Sequence, residues 1–149
     1  MSKPFSLKPL LDLAQLKNES ATRELGHLNK RQHEAQEKLD VLLQYRKDYQ
    51  NRLQESTRNG MSPADLRNFQ QFINKLDEAI TQQIKAVDQS KVSVQAGRTE
   101  FNTAQRKLKS FSTLQDRHIE EQIKVEAKLE QHALDEHTGK FAARRIMKT

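Results

Sequence analysis

The sequence predicts an all-α protein, a long antiparallel two-helix coiled coil folded as a hairpin, with the second helix extending beyond the first. Three observations carry this. Apolar residues recur at seven-residue spacing through both halves of the chain, which is the signature of a left-handed coiled coil. One cluster of turn residues, Asn59-Gly60-Met61-Ser62-Pro63, separates the two periodic stretches. The composition is too polar for a layered domain. Of 149 residues, 34% are hydrophobic and 31% charged, with 4 Gly, 3 Pro and no Trp. Globular domains carry about 45–50% apolar residues, counting Gly. A sandwich, barrel or wound sheet needs more core and more turns than this. The mean hydropathy of −0.94 would allow disorder; the regular spacing of the apolar residues argues against it.

The elements follow in order. Pro4 and Pro9 flank the start, and helix 1 is expected over about residues 10–57. Its d positions are Leu7, Ala14, Ala21, Leu28, Ala35, Leu42 and Tyr49. Its a positions alternate Leu with a polar residue: Leu11, Asn18, Leu25, Gln32, Leu39, Arg46 and Leu53. Polar seam residues cost stability and fix register. At 1.5 Å per residue such a helix is roughly 70 Å long.

The hinge covers 58–62. Asn59-Gly60 ends a helix through a left-handed cap. Ser62 then caps a new one, with Pro63 at its first position and Asp65 in its first turn. Helix 2 is expected over about 63–137 and a basic tail over 138–149, all within a single coiled-coil domain, 1–149. In helix 2, a falls at Leu66, Ile73, Ile80, Val87, Val94, Phe101 and Leu108. Position d falls at Phe69, Leu76, Gln83, Ser90, Gly97, Ala104 and Phe111.

A short hinge sends helix 2 back along helix 1, so facing residue numbers add to roughly 120. Helix 1 is then used up by about residue 110, and about 25–30 residues of helix 2 lack a partner from it. Beyond Phe111 the seam reads Gln115, His118 and Gln122, while Ile119, Ile123, Leu129 and Leu134 predict a shifted stripe. An apolar stripe on an unpaired helix invites a partner.

Beside the seam, Tyr45, Phe72 and Ala79 fall at g positions. Antiparallel pairing sets g against g, which places Tyr45 near Phe72, Lys38 near Ala79 and Arg52 near Asp65. Tyr45, Phe72 and Ala79 then form one flank, with Leu42, Tyr49 and Leu76 beneath it. These aromatics either widen the core near the turn or offer an anchor to another protein.

The formal net charge is +6. The signs are mixed over most of the chain, as on a solvated helix surface. Residues 111–137 carry three basic and seven acidic side chains. The tail 138–149 carries Lys140, Arg144, Arg145 and Lys148 without an acid. A basic tail suits an acidic protein face, lipid headgroups or phosphates.

Chemistry is sparse. There is no Cys, hence no disulfide or thiolate site. His27, His33, His118, His132 and His137 include no i, i+4 pair of histidines. His33 with Glu37 and His132 with Glu136 make poor metal sites. No phosphate-binding glycine loop or nucleophile elbow is present. No catalytic residue, cofactor or metal is therefore expected, and the chain is read as a non-enzyme. Nucleic-acid binding is not expected, because bases alternate with acids. The longest aliphatic run, Val41-Leu42-Leu43, is far too short to insert in a membrane, and the first residues lack a signal-peptide core. A cytoplasmic protein is expected.

The run Asn68-Phe69-Gln70-Gln71-Phe72-Ile73-Asn74-Lys75-Leu76-Asp77-Glu78-Ala79-Ile80 resembles the flagellar export protein FliJ family. Leu42-x-x-Tyr45-x-x-x-Tyr49, Leu114-Gln115-Asp116-Arg117, and Leu134-Asp135-Glu136 before Phe141-Ala142 are similar to the same family, in the same order along nearly the whole chain. The resemblance implies an antiparallel coiled coil like the stalk of rotary ATPases, working in the cytoplasm at the inner-membrane base of the flagellum. It implies a non-enzymatic stalk and adaptor of the type III protein export apparatus. The stalk promotes assembly and activity of the hexameric export ATPase ring, contacts the export-gate membrane protein FlhA, and handles export chaperones. The family's gate patch matches Leu42, Tyr45, Tyr49, Phe72, Leu76 and Ala79 here. Two patch positions depart from the usual Gln and His, being Lys38 and Gln83. The end away from the hinge resembles the part that enters the ring. The free protein is expected to be a monomer. The alternatives are the stalk of a virulence type III secretion system and a generic coiled-coil scaffold with no ATPase partner.

Overall fold

The computed structural model describes residues 3–147. It contains two helices, α1 (Lys8–Arg58) and α2 (Pro63–Met147), and no strand among the described residues. The fold class is all-α, with the two helices packed against each other through the seven-residue repeat.

Local chemistry sets the ends. Before α1, the Lys8 amide donates to the Phe5 carbonyl at 3.2 Å. At its other end the Asn59 amide reaches the Glu55 carbonyl at 3.1 Å, and Gly60 follows at φ +90°. That left-handed backbone is strained for side-chain-bearing residues and free for glycine. Ser62 Oγ then accepts the Asp65 amide at 3.2 Å, an N-cap, and Pro63 needs no amide donor at the first helical position.

α2 does not stop near residue 137, where the sequence predicts the start of a tail; it runs through Gly139 to Met147. One interior glycine costs about 1 kcal/mol, and the Ala, Lys and Arg residues after it are strong helix formers. Arg144 and Arg145 in the last turn also favour the negative end of the helix dipole. Lys148 and Thr149 of the expected tail lie outside the described residues.

The contacts gather into two units, one formed by Glu19–Thr103 and the other by the described parts of Met1–Asn18 and Ala104–Thr149. In the first, the chain folds back at the turn and its two helical segments run antiparallel. Burial there alternates in steps of four and three from Ala21 to Leu53 and from Phe69 to Phe101, as the heptads require. Leu39, Ile80 and Val87 form its buried centre, with Ala35 and Leu42 packed against them. Leu66, the first a residue of α2, stays 38% exposed.

Two polar seam residues in this unit are paired across the helices. Arg46 Nε donates to Asp77 Oδ1, and that contact raises the Arg46 pKa through the hydrogen bond and the opposite charge. Gln83 Nε2 donates to the Ala35 carbonyl at 2.9 Å. The ion pair expected between Arg52 and Asp65 does not form; the cross-helix ion pair is instead that of Arg46, six residues earlier at an a position, with Asp77. Gly97 is buried at d because the side chain of Leu28 occupies the space its Cβ would need, 2.5 Å away.

In the second unit, Leu11 and Ala14 are buried on α1. On α2 the seam continues past Phe111 through Gln115, His118 and Gln122, all half-buried. The apolar stripe expected beside it, Ile119, Ile123, Leu129 and Leu134, is 49%, 60%, 63% and 60% exposed and takes no part in this seam. The physical reason lies in the segment before α1. His118 Nε2 is 2.8 Å from the Lys3 carbonyl, the Lys3 amide donates to Gln122 Oε1 at 3.4 Å, and the Phe5 ring lies 5.6 Å from the His118 ring. Polar seam residues are kept where a backbone end can hydrogen-bond them. Every described residue after Gln122 is exposed.

The close approach at Gly97 yields a measurable expectation. Gly97→Leu should destabilise by about 1–3 kcal/mol through overpacking against Leu28. Gly97→Ala should stay near neutral, since its helix-propensity gain of about 1 kcal/mol offsets the displacement of a flexible Leu end. Urea midpoints of the three proteins decide it, and an unchanged Leu variant would refute the contact.

Candidate functional site

Two stretches of surface stand out, each within its own unit. The first is the aromatic group near the turn. Heptad position places Tyr49 at d in α1 and Phe69 at d in α2, so their rings meet across the seam, 4.9 Å apart. Phe72, one turn on at g, also packs on Tyr49 with centroids 4.3 Å apart. Both pairs are tilted, the arrangement aromatic quadrupoles favour. Tyr45, expected beside Phe72, makes no ring pair and is 61% exposed.

The six residues singled out from the sequence therefore divide. Leu76 is buried, and Leu42, Tyr49 and Ala79 are half-buried. Tyr45 and Phe72, at 61% and 43% exposure, present the accessible ring surface. Some members of the flank build the core and others cover it. Val41 and Leu43 are also exposed, at 54% and 46%, so the apolar surface around Tyr45 extends along α1. A shallow cleft of about 440 Å³ opens toward the turn, lined by Tyr49, Ser56, Gly60, Asp65 and Phe69 among others.

The second is α2 after Gln122, where large apolar side chains stand in water among charges. Ile123, Leu129, Leu134 and Phe141 are each at least 60% exposed. The His132–Glu136 contact, 3.3 Å, and the hydrogen bond Gln131–Asp135, 3.1 Å, are one-turn surface contacts. Beside this stretch, Phe5 and Pro4 with Ile119, Ile123 and His118 line a cleft of about 460 Å³. Sequence reasoning did not find the clasp of Lys3 and Phe5 on His118. The available signal was His118 at a d position, one heptad beyond Phe111.

No group of three or more His, Cys, Asp or Glu side chains suited to a metal occurs among the described residues. No described helix is long and apolar enough to cross a membrane. The arrangement offers surfaces for macromolecular contact.

Leu76→Ala should cost about 2–4 kcal/mol, as for buried leucines generally. Tyr45→Ala should stay within about 0.5 kcal/mol of the parent. Equal losses in chemical denaturation would show that Tyr45 belongs to the core.

The family model described as "Flagellar FliJ protein" matches residues 2–146. The flagellar FliJ protein of Escherichia coli K12 is 30% identical over 145 residues, covering 97% of this chain and 99% of its own. That of Salmonella typhi is 29% identical over 145 residues with the same coverage. A solved chain from Chlamydia trachomatis, titled as a proposed YscO homologue, aligns over 99% of both chains at 17% identity and a TM-score of 0.49.

Proposed function

The chain belongs to the flagellar FliJ protein family, and from that premise we propose that it is a non-enzymatic stalk and adaptor of the flagellar type III protein export apparatus. In this reading it acts at the cytoplasmic side of the inner membrane, at the base of the flagellum. It promotes assembly and activity of the hexameric export ATPase, contacts the gate protein FlhA, hands over export chaperones, and is a monomer when free.

The observation that carries the proposal is the full-length family match, which spans the turn, the aromatic group and the extended end of α2 together. Two physical features support it. The Phe72 ring is packed on Tyr49, which also meets Phe69, so Phe72 is positioned before binding, with the exposed Tyr45 on the same flank. Rigid aromatic anchors lose little side-chain entropy on association. The stretch from Ile123 to Leu134 shows apolar and charged groups all round the helix. A ring presents the same site six times, and modest contacts distributed around a helix suit such a partner. The patch residues proposed for the gate contact remain Leu42, Tyr45, Tyr49, Phe72, Leu76 and Ala79, with Tyr45 and Phe72 touching the partner and the rest supporting them.

Two experiments test this. ATP hydrolysis by the flagellar export ATPase should rise on adding the full chain and fall back with a chain ending at Ser110. Absence of stimulation by a folded, helical full chain would leave a scaffold role or another secretion partner as the better account. For the gate, Tyr45→Ala should weaken binding to FlhA by about tenfold, a typical loss for an interface anchor, at unchanged denaturation midpoint. Unchanged affinity would move the contact elsewhere.

A further inference from the structure

The final turns of α2, residues 139–147, have a composition unlike the rest of the helix. From Thr138 to the end of the sequence there are four basic residues and no acid. Because the segment is helical, its residues are sorted by face. Gly139, Ala142, Ala143 and Ile146 recur at i, i+3, i+4 and i+7, forming one apolar side that Met147 borders. Lys140 and Arg144, at i and i+4, line the other side, with Phe141 and Arg145 next to them. The larger apolar groups of the segment are exposed: Phe141, Ile146 and Met147 are 61%, 75% and 88% accessible.

We propose that residues 139–147 form a surface-binding helix end that lies on an anionic lipid bilayer. Ile146 and Met147 enter the headgroup–acyl boundary, while Lys140, Arg144 and Arg145 meet the lipid phosphates. A small apolar face beside a cationic one is the arrangement that holds a helix in the plane of a membrane interface. Basic side chains near an anionic leaflet each add attraction, and it fades with salt. Short peptides of this length are disordered in water and lose affinity to the cost of nucleating a helix. Here α2 supplies the helix already formed, so that cost is absent. With no described helix fit to cross a membrane, the association is peripheral.

The pattern favours lipid over the other acidic partners. A partner helix packed along Leu134 and Phe141, seven residues apart on one face, would leave Ile146 uncovered on another side of α2. A nucleic acid would use the cations and gain nothing from Ile146 and Met147. The assignment does not rest on the export-stalk reading, and its failure would leave the ATPase and gate tests unaffected.

The test is sedimentation of the full chain with phosphatidylcholine vesicles containing about one-third phosphatidylglycerol, and with phosphatidylcholine alone. Binding to the anionic vesicles and little to the neutral ones is expected. Arg144→Gln with Arg145→Gln should weaken partitioning about 25-fold at low salt, two charges at fivefold each. Ile146→Asn with Met147→Asn should weaken it at least tenfold. Circular dichroism should be unchanged in both, since the altered residues are exposed. As a positive readout, Ile146→Trp should give an emission blue shift on adding anionic vesicles. No binding, equal binding to both vesicle types, or an absent blue shift would overturn the proposal. So would sensitivity to the arginines without sensitivity to Ile146 and Met147, which would assign the segment to phosphate contact alone, as with a nucleic acid.

Discussion

The seam between α1 and α2 is the constraint on which the rest depends. Neither helix has another place to bury its apolar stripe, and isolated helices of mixed charge are marginal in water. The packing is thin. Seven residues form the buried apolar set, and none of the large side chains among the described residues is completely enclosed. Stability is therefore distributed along the length, with a local centre at Leu39, Ile80 and Val87. A seam of this kind fails by sliding as readily as by melting, so register has to be specified separately from burial.

Polar groups and one glycine supply that specification. Arg46 finds Asp77, Gln83 finds the Ala35 carbonyl, and Leu28 fills the space left by Gly97. Slipping either helix by one heptad would leave these groups unpaired or replace the gap with a clash. In the other unit His118 and Gln122 meet the backbone of Lys3. Buried or half-buried polar groups without partners are costly, so each of these contacts opposes the wrong pairing more than it strengthens the right one.

The surface relevant to function depends on the same seam. Leu76 is buried and the half-buried Tyr49 packs against Phe72, while Tyr45 stays in water. Substituting the first pair disturbs folding and binding together, whereas Tyr45 separates them. At the far end of α2 every described residue after Gln122 is exposed, large apolar groups among them. The protein thus keeps a packed region to display an aromatic surface and an uncovered helix end to meet larger partners.

The sequence by itself determined the helical class, the place of the turn and the heptad register, because these rest on local rules. Gly60 and Ser62 act through their own backbone neighbours, and a seven-residue repeat is a property of one strand of text. It also placed the aromatic group, through the positions of Tyr45, Tyr49, Phe69 and Phe72. The tertiary structure decided which partner each side chain took. Register position fixes a face to within a turn, and that tolerance covers both Tyr45 and Tyr49 as partners for Phe72. It decided too that Gln115, His118 and Gln122 stay on the seam while Ile119 and Ile123 face water. Hydropathy alone ranks those residues the other way. The ranking fails because the segment before α1 brings a carbonyl and an amide of Lys3 to His118 and Gln122, and hydrogen bonds made across that distance in sequence leave no local trace.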